Sequence, residues 1–203
     1  TTDSRVVYTT GASPNMTLFY YNPLSGYARE IDNGGLSSTD VKVNTANLVF
    51  YETGVGGQSD IYYYDATEDD RFAVGTDARD EQILAVLPNG ACVFSRVGAG
   101  GEADLFYFKV GTGLVEIGFD MTALATRNKV YNGNGSNSEV VFTATNGSNR
   151  EIYAWDPATG QTATVVSGSD NVYDGIGDGN EVVYHTIVSG TDHDVFYYED
   201  RKS

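Results

Sequence analysis

Apolar and aromatic residues fall in short runs separated by Gly, Asn, Asp and Ser, the pattern of strands joined by tight turns. The runs come in two kinds that alternate. One pairs Val with an aromatic residue: Val7-Tyr8, Val49-Phe50, Val93-Phe94, Val141-Phe142 and Val183-Tyr184. The other carries an aliphatic residue followed by aromatics: Leu18-Phe19-Tyr20, Ile61-Tyr62-Tyr63, Leu105-Phe106-Tyr107, Ile152-Tyr153-Ala154 and Val195-Phe196-Tyr197. The aromatic member of the first recurs after 42, 44, 48 and 42 residues, the aliphatic member of the second after 43, 44, 47 and 43. Two motifs that drift together mark one duplicated unit.

A unit of this length built from short strands is the signature of a β-propeller blade. The clearest copy runs from Asp80 to Asp120, with strands predicted over Gln82 to Leu87, Ala91 to Val97, Asp104 to Lys109 and Leu114 to Phe119. Third strands such as Ile61 to Tyr64, Leu105 to Phe108 and Val195 to Tyr198 carry large side chains consecutively, so both faces must be covered, as they are when each blade lies between two others. Fourth strands, Tyr27 to Ile31 and Thr162 to Val166, mix in Arg29, Glu30 and Thr, which suits an outer edge. Helical signals are nearly absent. Met121 to Arg127 is the best candidate, for a single turn.

The predicted fold is thus all-β: one β-propeller domain, residues 1–203, of five blades of mostly four antiparallel strands. The units run approximately over 5–35, 36–78, 79–120, 121–168 and 169–203. Five units of about 44 residues need more than the 203 present. The first unit begins at a second-type strand, Val6 to Thr9, and the last ends after a third-type strand. The first therefore lacks its innermost strand and the last its outermost. Either these blades have three strands, or the chain belongs to a longer array, or a second chain contributes. Unpaired edges of this kind favour capping or self-association.

Leu87-Pro88-Asn89-Gly90, then Cys92-Val93-Phe94, then Asp104-Leu105-Phe106 resemble the order of elements in the TolB-type or PD40 repeat, a relative of the WD40 repeat. Tyr153-Ala154-Trp155-Asp156 with Ala158-Thr159-Gly160 resembles the aromatic-Asp and Thr-Gly turn after its third strand. The resemblance implies a propeller and brings no catalytic residue with it.

Charge narrows the partners. The formal net charge of -16 argues against nucleic acid, whose phosphates are held by clustered Lys and Arg, and against anionic membrane surfaces. It fits an extracellular or periplasmic setting. No apolar run is long enough to span a bilayer, and Thr1 to Arg5 does not read as a signal peptide. Cys92, the single cysteine, is expected in a strand as a small buried hydrophobe.

Connections entering the inner strands are polar. Asp40, Asp80, Asn128 and Asp170 are candidate ligand-binding residues at a channel mouth; the competing reading is that they cap turns. The acids that open the third strands, Asp60, Asp104, Glu151 and Asp194, recur once per repeat, which favours a structural role such as accepting amides of the preceding loop. His185 and His193, with Asp192 and Asp194, supply only part of a metal site. Asp174, Asp178 and Glu181 in an Asp-Gly-rich stretch read as turns rather than a calcium loop. No nucleophile motif is present.

These features predict a non-enzymatic binding module, without cofactor or metal, for a protein or peptide partner. A lectin-like, glycan-binding propeller is the second reading, weakened because most aromatics fall inside strands. A glycoside hydrolase using two carboxylates is the third. Self-association through the terminal blades is a further expectation.

Overall fold

A computed structural model describes residues 5–12, 15–36, 41–43, 47–54, 58–76, 78–97, 103–117, 139–146, 149–167, 171–178, 181–189 and 192–199. These form five antiparallel sheets, each a meander of consecutive strands. The first contains β1 (Val6–Thr10), β2 (Met16–Asn22) and β3 (Tyr27–Leu36); the second β4 (Val41–Val43), β5 (Leu48–Thr53), β6 (Asp60–Asp65) and β7 (Asp70–Gly75). The third contains β8 (Asp80–Val86), β9 (Ala91–Val97), β10 (Ala103–Lys109) and β11 (Gly113–Glu116). The fourth contains β12 (Val140–Asn146), β13 (Asn149–Asp156) and β14 (Gln161–Val166); the fifth β15 (Asn171–Asp178), β16 (Glu181–Ser189) and β17 (Asp192–Glu199). The five sheets span residues 6–36, 41–75, 80–116, 140–166 and 171–199. Among the described residues two sheets have four strands and three have three; the place for an inner strand of the fourth unit lies at 118–138, outside them, as does the expected turn over 121–127.

The chain divides into two compact units, Thr1–Ile83 and Leu84–Ser203. In the first, Met16, Leu18, Tyr20 and Ile31 of the first sheet pack with Val49, Tyr51 and Tyr64 of the second. In the second, Val93, Leu105 and Tyr107 of the third sheet pack with Phe142, Tyr153 and Trp155 of the fourth, and Val141, Ile152 and Ala154 of the fourth pack with Val172 and Val182 of the fifth. Within each unit, successive sheets thus share their cores face to face. We call the side of a sheet that carries Leu18, Ile61, Leu105, Ile152 or Val195 its forward face and the other its rear face.

Pairing register shows which residues are true equivalents. Val7 lies opposite Tyr20, Phe50 opposite Tyr63, Val93 opposite Tyr107, Val141 opposite Ala154 and Val183 opposite Tyr197. In the second sheet the counterpart of Val93 is therefore Phe50, one residue beyond the Val49 that the sequence motif selects. The run Val49-Phe50-Tyr51 is apolar or aromatic throughout, so hairpin pairing, not residue type, sets which member faces forward.

Turns follow the local chemistry. At Pro88-Asn89-Gly90 the Asn89 side chain accepts the Ala91 amide (2.9 Å), and Gly90 takes φ 84°, the left-handed region that a side chain disfavours. β8 departs from the expected near-continuous apolar run: Glu81, Ile83 and Ala85 are buried and alternate with more exposed neighbours. Fourth strands β7, β11 and β14 are largely exposed, as an outer edge requires. Cys92 is a thiol in β9 and is fully buried, as expected. Among the described residues no helix is long and apolar enough to cross a membrane.

One expectation fails. Coverage of both faces holds for Ile61, Tyr63 and Tyr64 and for Leu105, Phe106 and Tyr107, all buried, but in the last third strand Val195, Phe196 and Tyr197 are exposed. No further sheet among the described residues covers them.

Candidate functional site

A cleft of about 190 Å³ lies between the fourth and fifth sheets. Ala154, Ala163 and Val165 form one apolar wall, and Val182 and Tyr198 the other. Glu139, Asp156, Thr159 and Gln161 give it a polar, acidic rim.

Two local features build it. The first is a bulge: Ile152 pairs with Val166 but Tyr153 pairs with Thr164, which leaves Val165 as the extra residue of β14. A bulge re-aims a side chain that a regular strand would send outward. The same bulge sits opposite Leu18 in β3, with Ile31 as the extra residue, and opposite Ile61 in β7, with Val74 extra. The second is the turn at Asp156. Its Oδ1 accepts the Ala158 amide (2.8 Å), its Oδ2 accepts the Thr159 hydroxyl (3.1 Å), and its carbonyl accepts the Gly160 amide (2.8 Å). Asp156 therefore holds the rim while keeping its charge beside the cleft.

The cleft is open because of what borders it. β17 pairs with β16 alone among the described residues, whereas its counterpart β6 pairs with both β5 and β7. In the first unit, β7 supplies Arg71, whose Nη1 donates to Asp32 Oδ2 (2.6 Å) and whose guanidinium lies 4.6 Å from the Tyr62 ring centre. The β6–β7 turn supplies Asp69, which accepts from the hydroxyls of Tyr64 (2.6 Å) and Tyr27 (2.8 Å). Tyr198 is the counterpart of Tyr64, three residues after the aliphatic position of its strand. Tyr64 is closed in by these contacts, and Tyr198 instead lines the cleft.

Of the channel-mouth residues, Asp40, Asn128 and Asp170 lie outside the described residues. Asp80 opens β8, where its Oδ1 accepts the Ser59 amide (3.0 Å). The neighbouring acids that sequence reading passed over are more deeply placed. Glu81 Oε2 accepts the Ile61 amide (3.3 Å), and Glu52 Oε1 accepts the Ile83 amide (2.5 Å); both side chains are buried. The signal available was the break of an apolar run by a single acid, Val49-Phe50-Tyr51-Glu52.

The strand-opening acids do not act alike. Glu151 accepts the hydroxyl of Tyr153, and Asp104 lies opposite Arg96 in the sheet. Asp174-Gly175 falls in a bulge between Tyr173 and Ile176 instead of a turn, while Asp178 pairs with Glu181 across a two-residue connection. His185 lies opposite Val195 and His193 opposite Ile187. Among the described residues no group of three or more His, Cys, Asp or Glu converges.

No family model and no curated protein matches the chain. Solved structures do. TolB from Acinetobacter baumannii aligns with a TM-score of 0.58 and 14% identity over 98% of this chain and 51% of that one. A prolyl endopeptidase aligns with a TM-score of 0.70 and 12% identity over 98% of this chain and 33% of that one. The β-propeller domain of the Trilobed protease from Pyrococcus furiosus, described as having an open velcro topology, aligns with a TM-score of 0.61 and 6% identity over 97% and 64%. The chain thus has the β-propeller fold, and it spans about half the TolB chain and a third of the peptidase chain.

Proposed function

We propose that the chain is a non-enzymatic binding module that holds an extended protein segment along β17, with a side chain of that segment seated in the cleft between the fourth and fifth sheets. The observation that carries this reading is the contrast between β6, flanked on both sides, and β17, flanked on one side among the described residues, beside an apolar cleft. An extended peptide paired with a sheet edge gains main-chain hydrogen bonds from the edge and specificity from adjacent pockets. The acidic rim of Glu139 and Asp156, on a chain of net charge -16, selects a segment with Lys or Arg flanking an apolar residue. The likeness to TolB supports this reading through fold alone, as does assignment of the repeat to the TolB/PD40 type. Asp40, Asp80, Asn128 and Asp170 are kept in this proposal as candidate ligand-binding residues for the same class of partner, and the composition supports a place outside the cytoplasm.

The test is selection from a displayed library of extended peptides, followed by calorimetric titration of the enriched sequences. Enrichment of basic-apolar segments, slower amide exchange over 192–199 on binding, and loss of binding in Val165→Lys support the proposal. Binding that is indifferent to Val165→Lys and leaves exchange in β17 unchanged refutes it. A glycan array that yields binding where peptides yield none would favour the lectin-like reading.

A further inference from the structure

The aliphatic residue of the third strand has five copies, and four are sealed: Leu18, Ile61, Leu105 and Ile152 are 0%, 0%, 2% and 0% exposed. The fifth, Val195, is 73% exposed. The residue two positions on behaves alike, with Tyr20, Tyr63, Tyr107 and Ala154 buried and Tyr197 58% exposed. Val183, opposite Tyr197, is exposed where Phe50, Val93 and Val141 are buried. The forward face of the fifth sheet therefore exposes the residue types that its counterparts hide, Val195 most of all.

The first sheet carries the complementary feature. Its rear face presents Val6 and Tyr8, both exposed, while the counterparts of Tyr8 are Tyr51, Phe94 and Phe142, each buried. The protein itself shows three times what covers a forward face. First on second, third on fourth and fourth on fifth, the forward face of one sheet packs against the rear face of the next.

We propose that the forward face of the fifth sheet, centred on Val195, Tyr197 and Val183, docks the rear face of the first sheet of a second copy of this chain, centred on Tyr8 and Val6. The contact is head to tail, so it uses two different surfaces and can propagate beyond two copies. It repeats a type of interface the chain already makes three times within itself. Burial of such apolar residues contributes in proportion to the area withdrawn from water. The net charge of -16 on each copy opposes association, so added salt strengthens it. This surface is the face of β17, not its edge, and the proposal stands independently of peptide binding.

Sedimentation velocity of the whole chain over a wide concentration range, at low and high sodium chloride, tests it. Wild type is expected to associate with rising concentration, more so at high salt. Val195→Lys and Tyr8→Lys, both at exposed positions, are each expected to sediment as monomers, and an equimolar mixture of the two is expected to form a 1:1 dimer that grows no further, because each variant keeps the one face the other has lost. Thermal melts check folding, with Tyr197→Lys as the replacement for a forward-face variant that melts early. A wild type that stays monomeric throughout overturns the proposal. So does association that survives in both variants, or that is abolished by Val195→Lys but untouched by Tyr8→Lys, which would mean that two forward faces meet.

Discussion

Phe94 on β9 and Phe106 on β10 stack across the strand pair with ring centres 5.4 Å apart and planes 18° from parallel. The same crossing occurs once in every sheet: Tyr8 with Phe19, Tyr51 with Tyr62, Phe142 with Tyr153, and Tyr184 with Phe196. Each pair sits on the rear face, at residues directly opposite in the register. Cross-strand aromatic pairs stabilise a sheet and pin its register, since a slip of one residue would turn both rings to the wrong side. The repeat is therefore a repeat of pairing geometry as much as of sequence.

Phe94→Ala should cost about 3–5 kcal/mol in urea unfolding, the usual range for an aromatic removed from a closed core. Phe196→Ala, at a ring that is 41% exposed in the fifth sheet, should cost well under half of that. Equal losses at the two positions would mean that the fifth sheet is as closed as the third.

Arg71 ties β7 to β3 through Asp32, whose side chain is 2% exposed while that of Arg71 is 45% exposed. Arg71→Met keeps most of the stem over Tyr62 but removes a charged donor from a buried carboxylate, a loss of about 1–3 kcal/mol. A double-mutant cycle with Asp32→Asn should show coupling between the two sites. Additive effects would assign Arg71 a packing role only.

Asp69 is held below the ordinary carboxylate range by the Tyr64 hydroxyl first and the Tyr27 hydroxyl second. A carboxylate whose pKa is lowered on folding adds stability above its unfolded value, near 3.9. That contribution disappears as pH falls through the lowered folded value. Tyr64 itself is raised, by burial first and the bond to Asp69 second, so its contribution is present below the ordinary tyrosine pKa, about 10, and fades as pH climbs through the raised value. The gap in melting temperature between wild type and Tyr27→Phe should be level through neutral pH and shrink below the ordinary aspartate range. A gap that widens in acid would contradict the hydrogen bond.

Gly75 backs directly onto the Glu81 carboxylate, and a methyl group there would overlap it. Gly75→Ala should displace that carboxylate from the Ile61 amide, destabilise by about 1–3 kcal/mol, and speed amide exchange at Ile61. Unchanged exchange at Ile61 would show that Glu81 can yield without losing its partner.

The strands were legible because their apolar and aromatic residues recur with a fixed period between turn residues: β9 was predicted over Ala91 to Val97 and is found there, and β10 begins one residue early. That the last sheet has three strands among the described residues was legible by counting strands per unit. Other features depend on residues far apart in the chain. That Phe50 and not Val49 matches Val93 is fixed by the pairing with Tyr63. That Val165 points into a cleft follows from a bulge opposite Ile152, which no residue in Thr162 to Val166 announces. Glu52 and Glu81 look like surface acids until the amides of Ile83 and Ile61 are brought to them.

The sequence by itself determined the repeat, the all-β class, the five sheets and their strand order, because those depend on local residue type and on spacing along the chain. Tertiary structure alone decided which face of each sheet is sealed, which acids are buried, and where a cleft opens. Burial is a property of what lies opposite: Val195 and Ile152 occupy the same place in their repeats, and only the next sheet distinguishes a closed core from an open face.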